Sequence, residues 1–156
     1  MEEKTNAIRV IESKKLPYKS YFYGDGTAQS AVDVAAELGK PVENVYKTLV
    51  CVAKSGAHYV FVIPAAKELN LKKAAKCVGE KSMEMLKMKD LLPLTGYVHG
   101  GCSPIGMKKL FKTTIDSSAS ALDTFCFSGG KIGCQVEMSL DDLKKIIPLQ
   151  LAEVAE

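Results

Sequence analysis

Hydrophobic and polar positions follow two periods along this chain, one typical of helices and the other typical of strands. The helical period occurs in "TNAIRVIESKKLP", "SAVDVAAELG" and "NLKKAAKCVG", with Thr5 or Asn6, Ser30 and Asn70 as the expected N-caps. Alternation or short apolar runs predict strands in "YKSYFY", "YKTLVCVA", "HYVFVIP", "FKTTID", "TFCFS" and "IGCQVEM". The "KSGA" between the second and third of these strands indicates a β-hairpin.

Two further segments complete the predicted order of elements. "EKSMEMLKMKDLLPLTG" alternates like a strand at Met83 and Met85, whereas its "LKMKDLL" has helical spacing, so both assignments stay open. Ser139 is the expected cap of a last amphipathic helix that runs through Ile147 and stops at Pro148. Because no linker or repeat interrupts the pattern, we expect residues 1–156 to form a single α+β domain, with helices around a mixed or antiparallel sheet.

Composition narrows the class of protein. The chain has 156 residues, of which 47% are hydrophobic and 25% charged, as in an ordinary globular domain. No apolar run approaches the roughly 20 residues of a membrane span. The first residues lack the apolar segment of a signal peptide, so we expect a cytoplasmic protein without a membrane partner. Five cysteines without a CxxC pair argue against a disulfide framework and fit a reducing compartment.

The net charge of +3 does not suggest a protein that coats a long duplex, and DNA is not an expected partner. Lysines nevertheless cluster in "LKKAAK" and in "GMKKLFK", after the glycine-rich segment. Such clusters are suited to contact a few phosphates, although solvated helix and strand faces explain them equally well. His99 and Cys102 lack a second pair of ligands at the usual spacing, so we expect no metal site.

The segment "HGGCSPIG", residues 99–106, raises the question of whether Cys102 is a nucleophile or the surrounding backbone carries the chemistry. A catalytic thiol needs a base within about 3 Å, and the two histidines of the chain, His58 and His99, are poorly spaced for it. Three glycines and Pro104 instead predict a stiff loop whose N–H groups bind an oxyanion or a phosphate. A purely structural tight turn is the alternative.

Lys47 is a second candidate, because it interrupts the apolar strand pattern of "VYKTLV". A lysine in such a strand either extends along the apolar surface to reach water or points into a pocket. The pattern alone does not separate these two interpretations.

Five motifs follow one another along nearly the whole chain: "VYKTLV", "LNLKKAAK", "TGYVHGGCSPIG", "TTIDSSA" and "SGGKIGCQVEM". In this order they resemble the YbaK/EbsC family of aminoacyl-tRNA editing proteins, in particular its Cys-tRNA(Pro) deacylase branch. The resemblance implies a mixed α/β domain with a strongly bent, barrel-like sheet. It also implies a freestanding trans-editing hydrolase that deacylates cysteine mischarged on tRNA(Pro), because prolyl-tRNA synthetase discriminates poorly between amino acids of similar size.

The resemblance also implies roles for individual residues. Lys47 matches the essential lysine that holds the terminal adenosine and the ester, and Gly100 and Gly101 match glycines whose backbone faces the scissile carbonyl. The remaining implied contacts are substrate-binding Tyr23, Ser103, Pro104 and Ser128, and RNA-binding Lys108, Lys109 and Lys131. The implied partners are the acceptor end of mischarged tRNA and prolyl-tRNA synthetase, with no cofactor and no metal.

In this branch the thiol of the substrate is thought to attack its own ester, so the protein supplies no nucleophile and the backbone is the expected site of chemistry. The chain departs from the family pattern at Ile132, where relatives commonly have arginine in GKRG. Two alternatives therefore stay open: deacylation of another misacylated tRNA, such as Ala-tRNA, and a tRNA- or synthetase-binding module without catalysis.

Overall fold

Eight strands form two sheets in the computed structural model of this chain, which describes residues 4–27 and 29–156. The strands are β1 (Lys19–Phe22), β2 (Tyr46–Ala53), β3 (His58–Pro64), β4 (Met83–Met85), β5 (Lys112–Asp116), β6 (Phe125–Ser128), β7 (Cys134–Met138) and β8 (Leu149–Ala152). The α-helices are α1 (Asn6–Ser13), α2 (Ala31–Leu38), α3 (Leu71–Cys77), α4 (Met88–Thr95) and α5 (Leu140–Lys144). Short 3-10 helices occupy Val42–Asn44 and Ser117–Ala121.

The larger sheet is mixed and has the strand order β4-β2-β3-β5-β8. The pairs β4–β2 and β2–β3 are antiparallel, whereas β3–β5 and β5–β8 are parallel. The smaller sheet is antiparallel with the order β1-β7-β6. A single parallel bridge between Val45 and Cys126 joins the two sheets where β2 begins. The mixed α/β fold is thus confirmed, but the described strands form two open sheets rather than a closed barrel.

The expected helix starts are confirmed by capping hydrogen bonds. Side chains of Thr5, Ser30, Asn70 and Ser139 each accept the backbone N–H three residues ahead, at 3.0–3.1 Å. Such a cap satisfies one of the N–H groups that the first turn of a helix leaves without a partner. The segment "EKSMEMLKMKDLLPLTG", for which strand and helix both stayed open, contains the strand β4 followed by the helix α4.

Two predictions near the end of the chain are wrong. The last helix ends at Lys144 instead of Ile147, and the four-residue β8 after Pro148 was not expected. β8 exists because it pairs in parallel with β5, with Thr113 opposite Leu149. Such pairing between distant segments leaves little local signal in a short strand.

The core lies on both faces of the β2–β3 hairpin. On one face, Tyr46 meets Phe125 edge-on with ring centroids 5.1 Å apart, and Phe125 contacts Phe127 at 5.4 Å. These rings fill the space between the two sheets, where aromatic pairs add to the free energy of burial. On the other face, Phe61 belongs to a separate buried cluster with residues of α3.

An ion pair connects the end of α2 to the smaller sheet. Lys40 Nζ lies 3.1 Å from Glu137 Oε1, which also accepts a hydrogen bond from Tyr21 Oη (2.6 Å). The other carboxylate oxygen, Oε2, accepts a hydrogen bond from Thr124 Oγ1 (2.7 Å). Burial alone would raise the pKa of Glu137, but the hydrogen bonds from Tyr21, Thr124 and Lys40 outweigh it and lower this pKa to about 2. The network holds α2 in place, and α2 forms a wall of the cavity described below.

We predict that Glu137→Gln removes a contribution to stability that depends on pH. The folded pKa of Glu137 lies below the ordinary value of 4.5, so its contribution is present above that value and is lost as the pH falls towards about 2. At neutral pH the variant should lose about 1.5–3 kcal/mol in urea unfolding, as expected for hydrogen bonds to a charged group. A difference between variant and wild type that stayed constant from neutral to acidic pH would contradict this assignment.

Candidate active site

A cavity of about 520 Å³ lies where β2, α2, α4 and the 99–102 loop meet, and small-molecule sites generally span roughly 300–1,000 Å³. Lys47, Gly100, Tyr23 and Ser128, four of the residues assigned from the sequence, line this cavity. The bridge between Val45 and Cys126 brings the end of β6, with Ser128, near Lys47 on β2, while Tyr23 follows β1 and Gly100 belongs to the 99–106 loop. Most of the remaining wall is apolar.

Lys47 lies on β2 opposite Ile63 and is half-buried at the cavity wall. Within the described part of the chain, its ammonium has no ion-pair or hydrogen-bond partner. A cation in this position attracts negative charge that enters or develops in the cavity. Of the two interpretations of Lys47 from the sequence, this geometry favours the pocket.

Two polar atoms of the cavity are buried without any hydrogen bond in the described structure: Thr48 Oγ1 and Gln135 Oε1. Leaving a buried polar group unpaired costs about 1–3 kcal/mol, so both atoms are suited to bind a polar group of a ligand. Sequence reasoning missed them. Thr48 follows Lys47 directly, but Gln135 has no local signal because only the pairing of β7 with β1 and β6 brings it to the cavity.

Tyr23 and Ser128 lie near Gln135 at the same wall. Ser128 is the residue paired with Gln135 across β6 and β7, and its Oγ accepts the N–H of Gly130 at 3.2 Å. Burial is the main cause that raises the pKa of the Tyr23 phenol, and a hydrogen bond with Gln135 partly opposes it. Tyr23 is therefore a neutral hydroxyl at neutral pH.

The two glycines of the loop have different environments. Gly100 has a φ of 88° and lines the cavity, whereas the Gly101 N–H donates to the Val98 carbonyl at 3.0 Å. Contrary to the expectation from the family motif, the Gly101 N–H is not available to an oxyanion. In the described residues, the N–H groups of Gly100 and Cys102 have no acceptor, and both residues line the cavity.

Gly101 is required by a close contact. A Cβ atom there would lie 2.8 Å from the backbone nitrogen of Ile132 and 2.9 Å from Cα and the carbonyl carbon of Lys131. Real Cβ atoms are essentially never found at such distances. Only glycine therefore lets this loop lie against the 131–132 backbone.

Cys102 does not have the environment of a catalytic nucleophile. Its side chain is only 7% exposed, and burial raises the pKa of its thiol to about 12. A protonated thiol is a poor nucleophile, because the thiolate is the reactive form. Cys102 is therefore poorly suited to act as a nucleophile, and the role of the backbone around it stays a prediction.

Ser103 and Pro104 do not line the cavity, which corrects their assignment to substrate binding. Ser103 is fully buried, and its Oγ accepts the N–H of Ile105 at 3.2 Å. Pro104 faces a different depression on the surface. Tyr97 Oη also donates a hydrogen bond to the Ile105 carbonyl, at 2.6 Å. These contacts stiffen the loop on the side that faces away from the cavity.

The three lysines assigned to RNA binding have different surroundings. Lys131 follows the Ser128 turn, and its Nζ lies 5.5 Å from the centre of the Phe22 ring. Lys108 is exposed, and its Nζ lies 3.4 Å from the Pro93 carbonyl. Lys109 lines the second depression, which shares no residue with the cavity. Their contact with RNA stays a prediction.

Asp116, in the "TTIDSSA" motif, has a structural role. One carboxylate oxygen accepts the N–H groups of Val154 and Ala155, each at 3.0 Å, and the other accepts Ser118 Oγ at 2.6 Å. Burial alone would raise the pKa of Asp116, but these hydrogen bonds, first that of Ser118, lower it. Ser118 Oγ in turn lies 2.7 Å from Tyr46 Oη, so this motif supports a wall of the cavity.

Two properties of residues 4–27 and 29–156 bear on the class of site. Among these residues, no group of three or more His, Cys, Asp or Glu side chains is placed to hold a metal ion. No helix in the same ranges is both long and apolar enough to cross a membrane.

Comparison with known proteins shows the family to which this chain belongs. The sequence model of the family described as "Aminoacyl-tRNA editing domain" matches residues 25–146. A protein of Enterococcus faecalis, "Putative Cys-tRNA(Pro)/Cys-tRNA(Cys) deacylase EbsC", is 44% identical over 98% of this chain and 94% of its own length. The chain therefore belongs to the aminoacyl-tRNA editing domain family.

Other relatives show the same domain in larger proteins and solved structures. A proline--tRNA ligase of Fervidobacterium nodosum is 29% identical over 65% of this chain, which corresponds to 17% of the ligase. The crystal structure of "a putative trans-editing enzyme for prolyl tRNA synthetase" superposes with a TM-score of 0.83, covering 96% of this chain and 92% of that one. At 23% identity, that likeness shows the fold.

We predict that Gly101→Ala destabilises the protein more than a glycine substitution in open space. The new Cβ would push the 99–106 loop away from the 131–132 backbone, and overpacking of this kind costs about 1–3 kcal/mol or more. Gly79→Ala is a stringent comparison, because its φ of 76° strains an alanine by itself although nothing lies within 4 Å of the place where a Cβ would lie. Urea unfolding measures both variants. A Gly101→Ala variant as stable as wild type would show that the loops do not need this contact.

Proposed function

We propose that this protein is an aminoacyl-tRNA deacylase that removes cysteine mischarged on tRNA(Pro). The observation that carries the proposal is the cavity, in which an unpaired ammonium, two unpaired N–H groups and two unpaired side-chain oxygens converge without an activated nucleophile. Family membership and the 44% identity to the Enterococcus faecalis protein named as a Cys-tRNA(Pro)/Cys-tRNA(Cys) deacylase support the substrate class.

In the proposed reaction, the thiol of the mischarged cysteine attacks the carbonyl carbon of its own ester. A sulfur–carbon bond forms, the bond from that carbon to the ribose oxygen breaks, and the ribose oxygen takes the proton that the thiol gives up. The products are a cyclic thioester and free tRNA. The protein has to orient the ester and stabilise negative charge on oxygen, which is a large part of catalysis in acyl transfer.

The residues of the cavity divide this work. The N–H groups of Gly100 and Cys102 stabilise the charge that develops on the carbonyl oxygen, and the Lys47 ammonium holds the terminal adenosine and the ester. Gln135 Oε1 accepts a hydrogen bond from the amino group of the substrate, because it is a buried acceptor without a partner. Lys131, near the entrance formed by the Ser128 turn, contacts the RNA backbone.

The same geometry supports the proposed partners. The acceptor end of mischarged tRNA is the substrate, and prolyl-tRNA synthetase is its source. The similarity of this chain to a part of proline--tRNA ligases supports that association. Ile132 does not remove the site, since its backbone nitrogen packs against Gly101 whichever side chain it carries.

We predict that purified protein deacylates Cys-tRNA(Pro) at least tenfold faster than Ser-tRNA(Pro) or Ala-tRNA(Pro). Serine fits the same space as cysteine but is a weaker nucleophile, and alanine has none, so the comparison isolates the substrate thiol. Release of radiolabelled amino acid from each tRNA measures the three rates. The Cys102→Ala variant should keep the rate on Cys-tRNA(Pro) within a few-fold. An inactive Cys102→Ala variant would identify a protein nucleophile instead, and equal rates on all three tRNAs would point to attack by water.

We predict that removing the polar groups of the cavity lowers activity without unfolding the protein. Lys47→Met keeps the length of the side chain but loses its charge, and should reduce kcat/KM by on the order of a hundredfold or more. Gln135→Leu should reduce kcat/KM by roughly ten- to a hundredfold. It removes a buried unpaired oxygen but also the hydrogen bond with Tyr23, so the melting temperature should change little. Normal turnover by Lys47→Met would overturn the proposed role of this residue.

A further inference from the structure

A second concave surface lies at the start of β5 and β8, away from the cavity. Two depressions of about 200 and 310 Å³ share Leu110, Phe111 and Thr113 and form one groove. The segment before β5 forms one side of this groove, and residues 146–150, which follow α5 and begin β8, form the other. None of its lining residues lines the cavity.

The apolar side chains of the groove differ in how well they are packed. Phe111 packs against the main core, and its ring lies 6.0 Å from that of His58 in an edge-on contact. Leu110, beside it, is 71% exposed and is the most exposed large hydrophobic side chain among the described residues. An isolated exposed leucine is ordinary, but one at the edge of an apolar groove indicates a binding surface.

The charge of the groove has one sign. Lys109 and Lys112 are its only charged lining residues, and neither has an ion-pair or hydrogen-bond partner in the described structure. The two carboxylates of the neighbouring α5 are each paired with the lysine three residues further along. An occupant with negative charge is therefore favoured, because like charges in an interface are costly.

We propose that this groove docks a segment of a partner protein that combines apolar side chains with Asp or Glu. The apolar side chains would cover Leu110 and Phe111, and the carboxylates would pair with Lys109 and Lys112. Apart from its two lysines, the groove is mostly apolar, unlike surfaces that track a nucleic-acid backbone, so it fits a protein segment better than RNA. A second copy of this chain would bring the same lysines to the interface, which disfavours self-association.

The test is selection of peptides from a random twelve-residue phage-displayed library on the immobilised protein, followed by synthesis of the enriched peptides. We expect sequences that pair Leu, Ile or Phe with Asp or Glu, and we expect amide chemical-shift changes at residues 109–113 and at residues 146, 147, 149 and 150. Binding measured by fluorescence anisotropy should weaken at least tenfold in Leu110→Asp and severalfold in Lys112→Glu. The matched controls are Leu92→Asp on α4, whose side chain is 52% exposed, and Lys72→Glu on α3, both outside the groove. Both should bind like wild type.

Three outcomes would overturn the inference: enriched peptides that map to the cavity, peptides without acidic residues, or no enrichment above an unrelated protein. A fourth outcome assigns the groove to RNA: Lys112→Glu weakens binding of an acceptor-stem minihelix and flattens its dependence on salt. Deacylation by Leu110→Asp should equal that of wild type, because Leu110 lies outside the cavity. Failure of the proposed activity and failure of the proposed docking surface are thus measured separately.

Discussion

Two loops that are far apart in sequence lie in backbone contact at Gly101, where the space for even one methyl group is missing. The contact brings the 99–106 loop to the turn between β6 and β7, and through that turn to Ser128 and Gln135. It also leaves Gly100 and Cys102, on either side, with their N–H groups free of acceptors within the described residues. The 99–106 loop and the turn between β6 and β7 therefore pack against each other, and this packing brings their residues to the same cavity.

The cavity combines a thiol that is poorly suited to be a nucleophile with polar groups that face the same space. Burial keeps the Cys102 thiol protonated, and Thr48 Oγ1 and Gln135 Oε1 lack hydrogen-bond partners in the described structure. In the proposed reaction, polar groups that already face the substrate stabilise developing charge with little rearrangement. Thr48 Oγ1 and Gln135 Oε1 are buried without hydrogen bonds, which lowers the free energy of unfolding of the protein in the absence of a ligand.

Local patterns predicted most of the fold, because caps and hairpin turns depend on neighbouring residues. Ser30 and Asn70 cap helices as expected, and the hairpin around "KSGA" is present. β8 was missed because its existence depends on pairing with β5 across a long stretch of chain. For the site, a lysine inside an apolar strand drew attention to Lys47, but the pattern left open whether its side chain enters a pocket. Gln135 reaches the cavity only through strand register. Ser103 and Pro104 share a motif with Gly100 but point away from the cavity, a difference that sequence proximity does not reveal.

The carboxylate of Asp116 has a consequence for the order in which the chain acquires its structure during synthesis. Its buried oxygen is satisfied by the N–H groups of Val154 and Ala155, which leave the ribosome after all the strands and helices described above. Before β8 and these residues are synthesised, one edge of β5 is unpaired and Asp116 lacks two of its hydrogen-bond donors. An unpaired strand edge can pair with a strand of another chain. An early-terminated chain that lacks β8 and the residues after it therefore keeps an unpaired edge on β5, and its Asp116 carboxylate has fewer hydrogen bonds.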